Sequence, residues 1–417
     1  MLPTTLDAWL AHIEACHPDE IELGLGRVAR VHENLALPVP ACTITVAGTN
    51  GKGSVVAFLE AILGAAGYRV GAYTSPHLLA FNERVRLAGV PVDDATLCAA
   101  FARVETARGD VPLTYFEYAT LAALVVFADA APDAVLLEVG LGGRLDAVNV
   151  IDPDIALLTP IDLDHAAWLG DDRESIGREK AGILRAGRPA VSVDPEPPAS
   201  VVARAAELGA PLHLPGRDYA YAVDAHGWRW HAGARTRTTL PRPGLFGRHQ
   251  YANAAAVLTA LELLRERLPV GQDAVRVGLL EAHLPGRFEV HPGAVETILD
   301  VAHNPHGVRA LAGALATRPC EGRTLAVVGM LEDKAVEAAL AELDDVAHWY
   351  VAPLPVARSA APQRLVAALQ ARGGEVEACA SIEVAGRRAH AAASPGDRVV
   401  VFGSFHAVAA ALRSDWA

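Results

Sequence analysis

The chain has 417 residues, 52% hydrophobic and 20% charged, which suits a well-packed protein of two domains and excludes a disordered or low-complexity one. Its formal charge of −13, with lysine and arginine dispersed, argues against a nucleic-acid groove, which needs a clustered basic face. The longest apolar stretch, Tyr118 to Ala128, stops at Asp129, well short of the ~20 residues of a bilayer span.

The N-terminus carries acidic residues early and has no basic region before an apolar block, so a secretory signal is not expected and the cytoplasm is the expected location. The five cysteines (Cys16, Cys42, Cys98, Cys320, Cys379) are scattered and form no C-x-x-C, which predicts reduced, buried thiols.

In chain order, Cys42–Ala47 is β-branched and apolar and runs into a glycine-rich loop, followed by a helical pattern from Val55 to Ala66 that Gly67 ends. Further strands are predicted at Arg69–Tyr73, Asp133–Val139, Asp154–Thr159 and Pro189–Val193, several ending in polar loops, as an open parallel sheet requires at its ligand crevice. Tyr219–Val223, Trp228–His231 and Thr236–Leu240 read as short antiparallel strands, and a helix follows around Asn253–Arg265. The Pro-Gly pair near Pro285–Arg287 marks a boundary between domains 1–285 and 286–417. Beyond it a second α/β series has strands at Glu296–Val301, Thr324–Gly329, His348–Ala352 and Asp397–Phe402.

The loop Gly48-Thr49-Asn50-Gly51-Lys52-Gly53-Ser54 lies between a predicted strand and a helix. Glycines let backbone N–H groups converge on phosphate oxygens, and the helix N-terminus adds a favourable partial charge. Lys52 can reach the terminal phosphates, and the Ser54 hydroxyl can coordinate magnesium. The spacing departs from G-x-x-x-x-G-K-[ST]: Val46 stands where the first glycine would be, and Gly53 separates lysine from serine. The plain alternative is a connecting glycine turn, and the Lys/Ser pair argues against it. No N-K-x-D guanine reader is present, which favours ATP over GTP.

The stretch TVAGTNGKGS (Thr45–Ser54) resembles the nucleotide loop of the Mur-ligase superfamily, in its folylpolyglutamate synthase/dihydrofolate synthase branch. Collinear with it are TSPHLLAFNERVRL (Thr74–Leu87), TYFEYATLAA (Thr114–Ala123), LLEVGLGGRLDAVN (Leu136–Asn149) and DHAAWLGDDRESIGREKAGILR (Asp164–Arg185). LPGRFE (Leu284–Glu289), LDVAHNPHG (Leu299–Gly307), GMLEDK (Gly329–Lys334) and FGSFHAVA (Phe402–Ala409) carry the likeness through the second domain. The resemblance implies an α/β fold with a P-loop ATPase domain that binds pteroate or folate, followed by a smaller Rossmann-like glutamate-ligase domain.

Amide formation from an unactivated carboxylate needs an acyl phosphate, so catalysis is mostly positioning and cationic stabilisation. Magnesium takes oxygen ligands, for which Glu117 and Glu138 are natural candidates. The resemblance assigns two magnesium sites to Ser54, Glu117 and His165, catalytic parts to Lys52, His165 and Lys180, and a carbamate to Lys180, which by helical pattern alone would be an exposed lysine. Carbamylation requires a neutral amine, hence a lysine whose pKa burial has lowered. Asp300, His303, Asn253 and Arg287 match positions that contact ATP; on residues alone Asn253 could cap a helix and Arg287 form an ion pair.

Ser75, Pro76, His77, Phe81, Asn82 and Arg84 match the family's pteroate loop, whose aromatic and polar mixture suits a flat heterocycle with polar edges. A basic residue common there is replaced by Ala80. The expected activity is bifunctional: ATP-dependent addition of L-glutamate to dihydropteroate and to folates, by a monomer with no nucleic-acid or membrane partner. The alternatives are folylpolyglutamate synthase activity alone, another Mur-type amino-acid ligase, or a nucleotide-binding protein that has lost ligase activity.

Overall fold

The computed structural model describes residues 2–19, 21–414 and 416. It separates into two compact units, Met1–Gly244 with Tyr251–Ala282 and Leu245–Gln250 with His283–Ala417. The second unit thus starts three residues ahead of position 286 and takes in Leu245–Gln250, which the sequence placed in the first domain. The Phe246 ring explains this: it stacks on Phe288 at 4.4 Å, nearly coplanar.

The first unit is built on an eight-stranded sheet. Its strands are β1 (Thr43–Ala47), β2 (Val70–Tyr73), β3 (Val85–Leu87), β4 (Val90–Pro91), β5 (Ala134–Glu138), β6 (Ile155–Leu158), β7 (Ala190–Ser192) and β8 (Leu212–His213), in spatial order 4-3-2-5-1-6-7-8. β2, β5, β1, β6, β7 and β8 pair in parallel, and the hairpin β3–β4 adds the only antiparallel pairs of this sheet. The central strands are continuous apolar runs because helices cover both faces. The chain leaves β1 towards β2 on one side and later returns to β6 on the other. The loops after β1, β5 and β6 therefore meet at a topological switch point, where open α/β sheets bind ligands.

A small antiparallel sheet follows, β9 (Tyr219–Asp224), β10 (Gly227–Ala232) and β11 (Arg235–Leu240). Trp230 of β10 is buried, and its indole N–H donates to Thr259 Oγ1 of the helix His249–Leu263 at 3.0 Å. The helix Lys52–Ala65 begins three residues earlier than its apolar period suggests, inside the glycine loop itself. Against it lies the helix Gln272–Glu281, where Gly278 permits close approach: a Cβ there would stand 2.4 Å from Ile62 Cα. Gly278→Ala is expected to destabilise the fold by about 2–4 kcal/mol, since the obstacle is backbone. A thermal melt checks this, and an unchanged Tm would contradict the packing.

The second unit carries β12 (Glu289–His291), β13 (Glu296–Leu299), β14 (Thr324–Val328), β15 (His348–Val351), β16 (Val376–Ala378) and β17 (Arg398–Phe402), in spatial order 12-13-17-14-15-16. All pairs are parallel except β12–β13. The short edge strands β12 and β16 were not anticipated. The core of this unit gathers Ile298, Ala326, Val328, Val351, Val400 and Phe402 from the inner strands. No helix among the described residues is long and apolar enough to cross a membrane.

Candidate active site

Gly48 leaves β1 with φ +151°, and a Cβ there would meet Thr159 Oγ1 at 1.7 Å. Gly51, at φ +92°, is the N-cap of the helix Lys52–Ala65. The loop is tied down on one side, because Thr49 N–H donates to the Pro160 carbonyl (3.0 Å) and its hydroxyl to the Asp162 carbonyl (2.9 Å). Lys52 folds back, its ammonium donating to the carbonyls of Gly48 (3.0 Å) and Thr49 (3.2 Å). Ser54 is buried in the first turn of the helix.

Lys180, at the end of the helix Arg173–Lys180, is 4% exposed and donates to the same Gly48 carbonyl at 2.9 Å. Two amines thus converge on one oxygen. Burial, reinforced by Lys52 and opposed by Asp164 and Asp146, lowers the Lys180 pKa from 10.5 to about 7. Asp146 is buried too; its carboxylate accepts N–H bonds from Leu141 (2.8 Å) and Val148 (3.0 Å), yet burial lifts its pKa to about 6. Lysine and aspartate are thus both moved towards neutrality.

Glu138 ends β5 in register with Val46, two residues before Gly48, and is 5% exposed. Its carboxylate accepts the Ser75 N–H at 3.2 Å. Glu117, expected as a metal ligand, has a different setting. It completes the capping box of the helix Tyr115–Ala130, its carboxylate accepting the Thr114 N–H at 2.8 Å while Thr114 Oγ1 accepts the Glu117 N–H at 3.3 Å. Arg27 grips both carboxylate oxygens, at 3.1 and 3.2 Å. A carboxylate held by a guanidinium and a helix N-terminus is already neutralised, so the geometry favours Glu138 over Glu117 for a cation.

His165 follows β6 with left-handed backbone, φ +52°, uncommon for a residue with a Cβ. Its N–H donates to Asp164 Oδ1 at 2.9 Å, and its ring is over a third exposed.

In the loop after β2, Glu83 accepts three successive backbone N–H bonds, from Leu78 (2.7 Å), Leu79 (2.8 Å) and Ala80 (2.7 Å). Phe81 is 4% exposed and packs on Phe101 and Tyr115, so its ring anchors the loop in the core rather than presenting a face to a ligand. Asn82 is likewise spent on the Val92 carbonyl (2.8 Å) and Asp94 Oδ1 (2.9 Å). Buried Arg84 donates to His77 Nδ1 at 2.9 Å and lies over the Phe81 and Tyr115 rings. Ser75, Pro76 and His77 remain partly or fully accessible.

Asn253 is buried in the first unit, its side-chain oxygen 3.2 Å from where a Cβ on Gly51 would stand. In the second unit, Asp300 accepts N–H bonds from Phe288 and Ala302, both 2.8 Å, and burial raises its pKa. Arg287 lies 4.9 Å over the Phe405 ring, and His303 Nδ1 is 2.9 Å from the Val301 carbonyl. Asn304 caps the helix Pro305–Thr317 through Gly307 N–H at 2.8 Å.

Residues 286–405 match the family model of the Mur ligase, glutamate ligase domain. The dihydrofolate synthase/folylpolyglutamate synthase of Escherichia coli strain K12 is 46% identical over 406 residues, covering 97% of this chain and 94% of that protein. The chain belongs to the dihydrofolate synthase/folylpolyglutamate synthase family. Its structure superposes on E. coli FolC in complex with DHPP and ADP with a TM-score of 0.93 at 45% identity, covering 98% of this chain and 97% of that one. The Yersinia pestis bifunctional enzyme complexed with AMPPNP and Mn ion gives 0.92 at 47% identity, covering 99% of both chains.

Within this folylpolyglutamate synthase fold, sequence reasoning missed Arg27, Asp146 and Thr159. Asp146 sits in the LLEVGLGGRLDAVN stretch and was legible there as a carboxylate beside glycines. Arg27 meets Glu117 across 90 residues, and no spacing signals that.

Proposed function

We propose that the chain couples ATP cleavage to the addition of L-glutamate to dihydropteroate and to the terminal glutamyl carboxylate of folates. The convergence of Lys52 and Lys180 on the Gly48 carbonyl, at the switch point of the sheet, carries this reading. Lys52 there faces the place where phosphate charge collects and can turn from the carbonyl to phosphoryl oxygens. The γ-phosphoryl passes to the substrate carboxylate and ADP leaves. The glutamate amine then attacks the acyl carbon and loses a proton, and phosphate departs as the amide forms. The first unit takes the nucleotide's phosphates and the pteroate, and the second the glutamate; the cytoplasm is the proposed location.

Glu138 supplies the buried oxygen donors a magnesium ion wants, with Ser54 and His165 as further candidates, and the residues fit such a group. When bound, the cation neutralises phosphate charge. The near-neutral Lys180 amine is suited to attack carbon dioxide, forming an N–C bond and releasing a proton to leave an anionic carbamate. Asn253, Arg287, Asp300 and His303 are proposed for the nucleotide, and Ser75, Pro76 and His77 for the pteroate, with Phe81, Asn82 and Arg84 shaping that loop from behind.

Phosphate release from ATP should require glutamate together with dihydropteroate or a reduced folate. Turnover with the folate but none with dihydropteroate would reduce the activity to folylpolyglutamate synthase alone. Glu138→Gln should lower turnover by about 10²–10³-fold with little change in melting. Glu117→Gln should instead cost about 1–3 kcal/mol of stability, because it removes the charge that Arg27 pairs with and leaves that guanidinium with Glu22 alone. Titrating magnesium in both variants separates them: a raised magnesium requirement in Glu117→Gln and none in Glu138→Gln would reverse the assignment.

A further inference from the structure

The inward face of the small sheet contains a break in pattern. Arg237 lies opposite buried Trp230, and Arg235 opposite Ala232, on the side that packs towards the helix His249–Leu263. Alternation asks for apolar residues at both positions, and guanidinium groups stand there instead. They line a cleft of about 390 Å³ with Arg265, Glu262 and Glu266. Glu262 serves Arg265 (2.9 Å) and Arg235 (3.3 Å) together. Arg237 is half-buried and donates to neutral acceptors, Gln272 Oε1 (3.2 Å) and the Val270 carbonyl (2.9 Å). Burial lowers its pKa, with Arg235 beside it adding to the effect and Glu262 opposing. Three guanidiniums face two carboxylates, so the cleft is locally cationic in a chain of net charge −13.

The cleft is separate from the phosphate loop. Asn253 stands beside Gly51, and Glu262 lies nine residues further along the same helix, roughly 13–14 Å at 1.5 Å per residue.

We propose that this arginine cleft is a second anion site, taking a small oligoanion of carboxylate or phosphate groups. Planar guanidiniums match both groups in two-point contact, and fanned around an open cleft they suit several anionic groups on one molecule better than a single ion. The full chain, kept saturated with ADP and magnesium to fill the nucleotide site, is titrated calorimetrically with tripolyphosphate in one arm and γ-linked triglutamate in the other. At least one should bind at one per chain, more weakly as salt rises. Arg237→Gln should weaken that binding tenfold or more, and Arg235→Gln, whose side chain is 60% exposed and dispensable to the fold, should weaken it severalfold with basal turnover unchanged. The arm that binds identifies the ligand class. The proposal is overturned if neither anion binds, or if Arg235→Gln and any folded Arg237→Gln bind as the parent does.

Discussion

Gly48→Ala should abolish nucleotide binding. The added methyl would fall 1.7 Å from Thr159 Oγ1 and 2.9 Å from the Thr159 carbonyl, and the φ of +151° is itself strained for alanine. Thr159 cannot retreat easily, because its N–H is bonded to the Ala47 carbonyl at 2.8 Å within the sheet. The loop must move, and with it the carbonyl that positions Lys52 and Lys180. A loss of about 10³-fold or more in kcat/KM is expected, since several donors are misplaced together. Equilibrium titration with ADP checks it, and affinity within a few-fold of the parent would refute the steric argument. Thr159→Ala removes the hydroxyl but not the backbone obstacle, so the double variant should recover little.

Lys180→Met should separate stability from activity. Methionine fills similar space without an amine, so turnover should fall by about 10²–10³-fold as a positioned charge disappears. Stability should move the other way. The unfolded chain holds a proton on lysine up to pH 10.5, whereas the folded chain releases it near pH 7. Between those values the unfolded state binds more protons, so stability attributable to this group is lost as pH falls from 10.5 to 7. The loss is complete below about pH 7, on the order of 3–5 kcal/mol for so buried a group. Lys180→Met should therefore melt at or above the parent's temperature at pH 7, with a flatter dependence on pH. Equal slopes of Tm against pH in the two proteins would contradict the shifted amine.

The parallel strands and the phosphate loop were legible because each depends on local pattern: β-branched runs of four to six residues, and glycines at the one turn that needs them. Glu117 has a setting that the sequence shows only in part. The T-x-x-E signature of a capping box stands at Thr114–Glu117, whereas the metal role comes from the resemblance, and the partner Arg27 lies far off in sequence. Lys180 looked exposed because its helix, RESIGREK, is mostly charged, with Ile176 its one large apolar residue; it is buried because the 140–149 loop closes against the helix end, where Arg144 N–H donates to the Glu179 carbonyl at 2.8 Å. Phe81 reads in sequence as part of a loop for a flat heterocycle, and only its neighbours Phe101 and Tyr115 show its ring to be an anchor in the core. β12 and β16, three residues each, are too short to show a period.

The margins of the sheets bear on how the chain behaves when crowded. The eight-stranded sheet tapers to β4 and β8, two residues each, and β4 contains Pro91, which has no N–H to offer. The six-stranded sheet tapers to three residues at either edge. The antiparallel sheet alone ends in full six-residue strands, and there β11 alternates arginine with threonine over Arg235–Thr238. A second chain seeking to extend the two larger sheets or β11 would find a stub, a missing donor or paired like charges, which leaves β9, with Tyr221 and Val223 exposed, as the one full-length edge without such a guard among the described residues. The same arginines that line the cleft thus guard the β11 edge of the small sheet against templated aggregation.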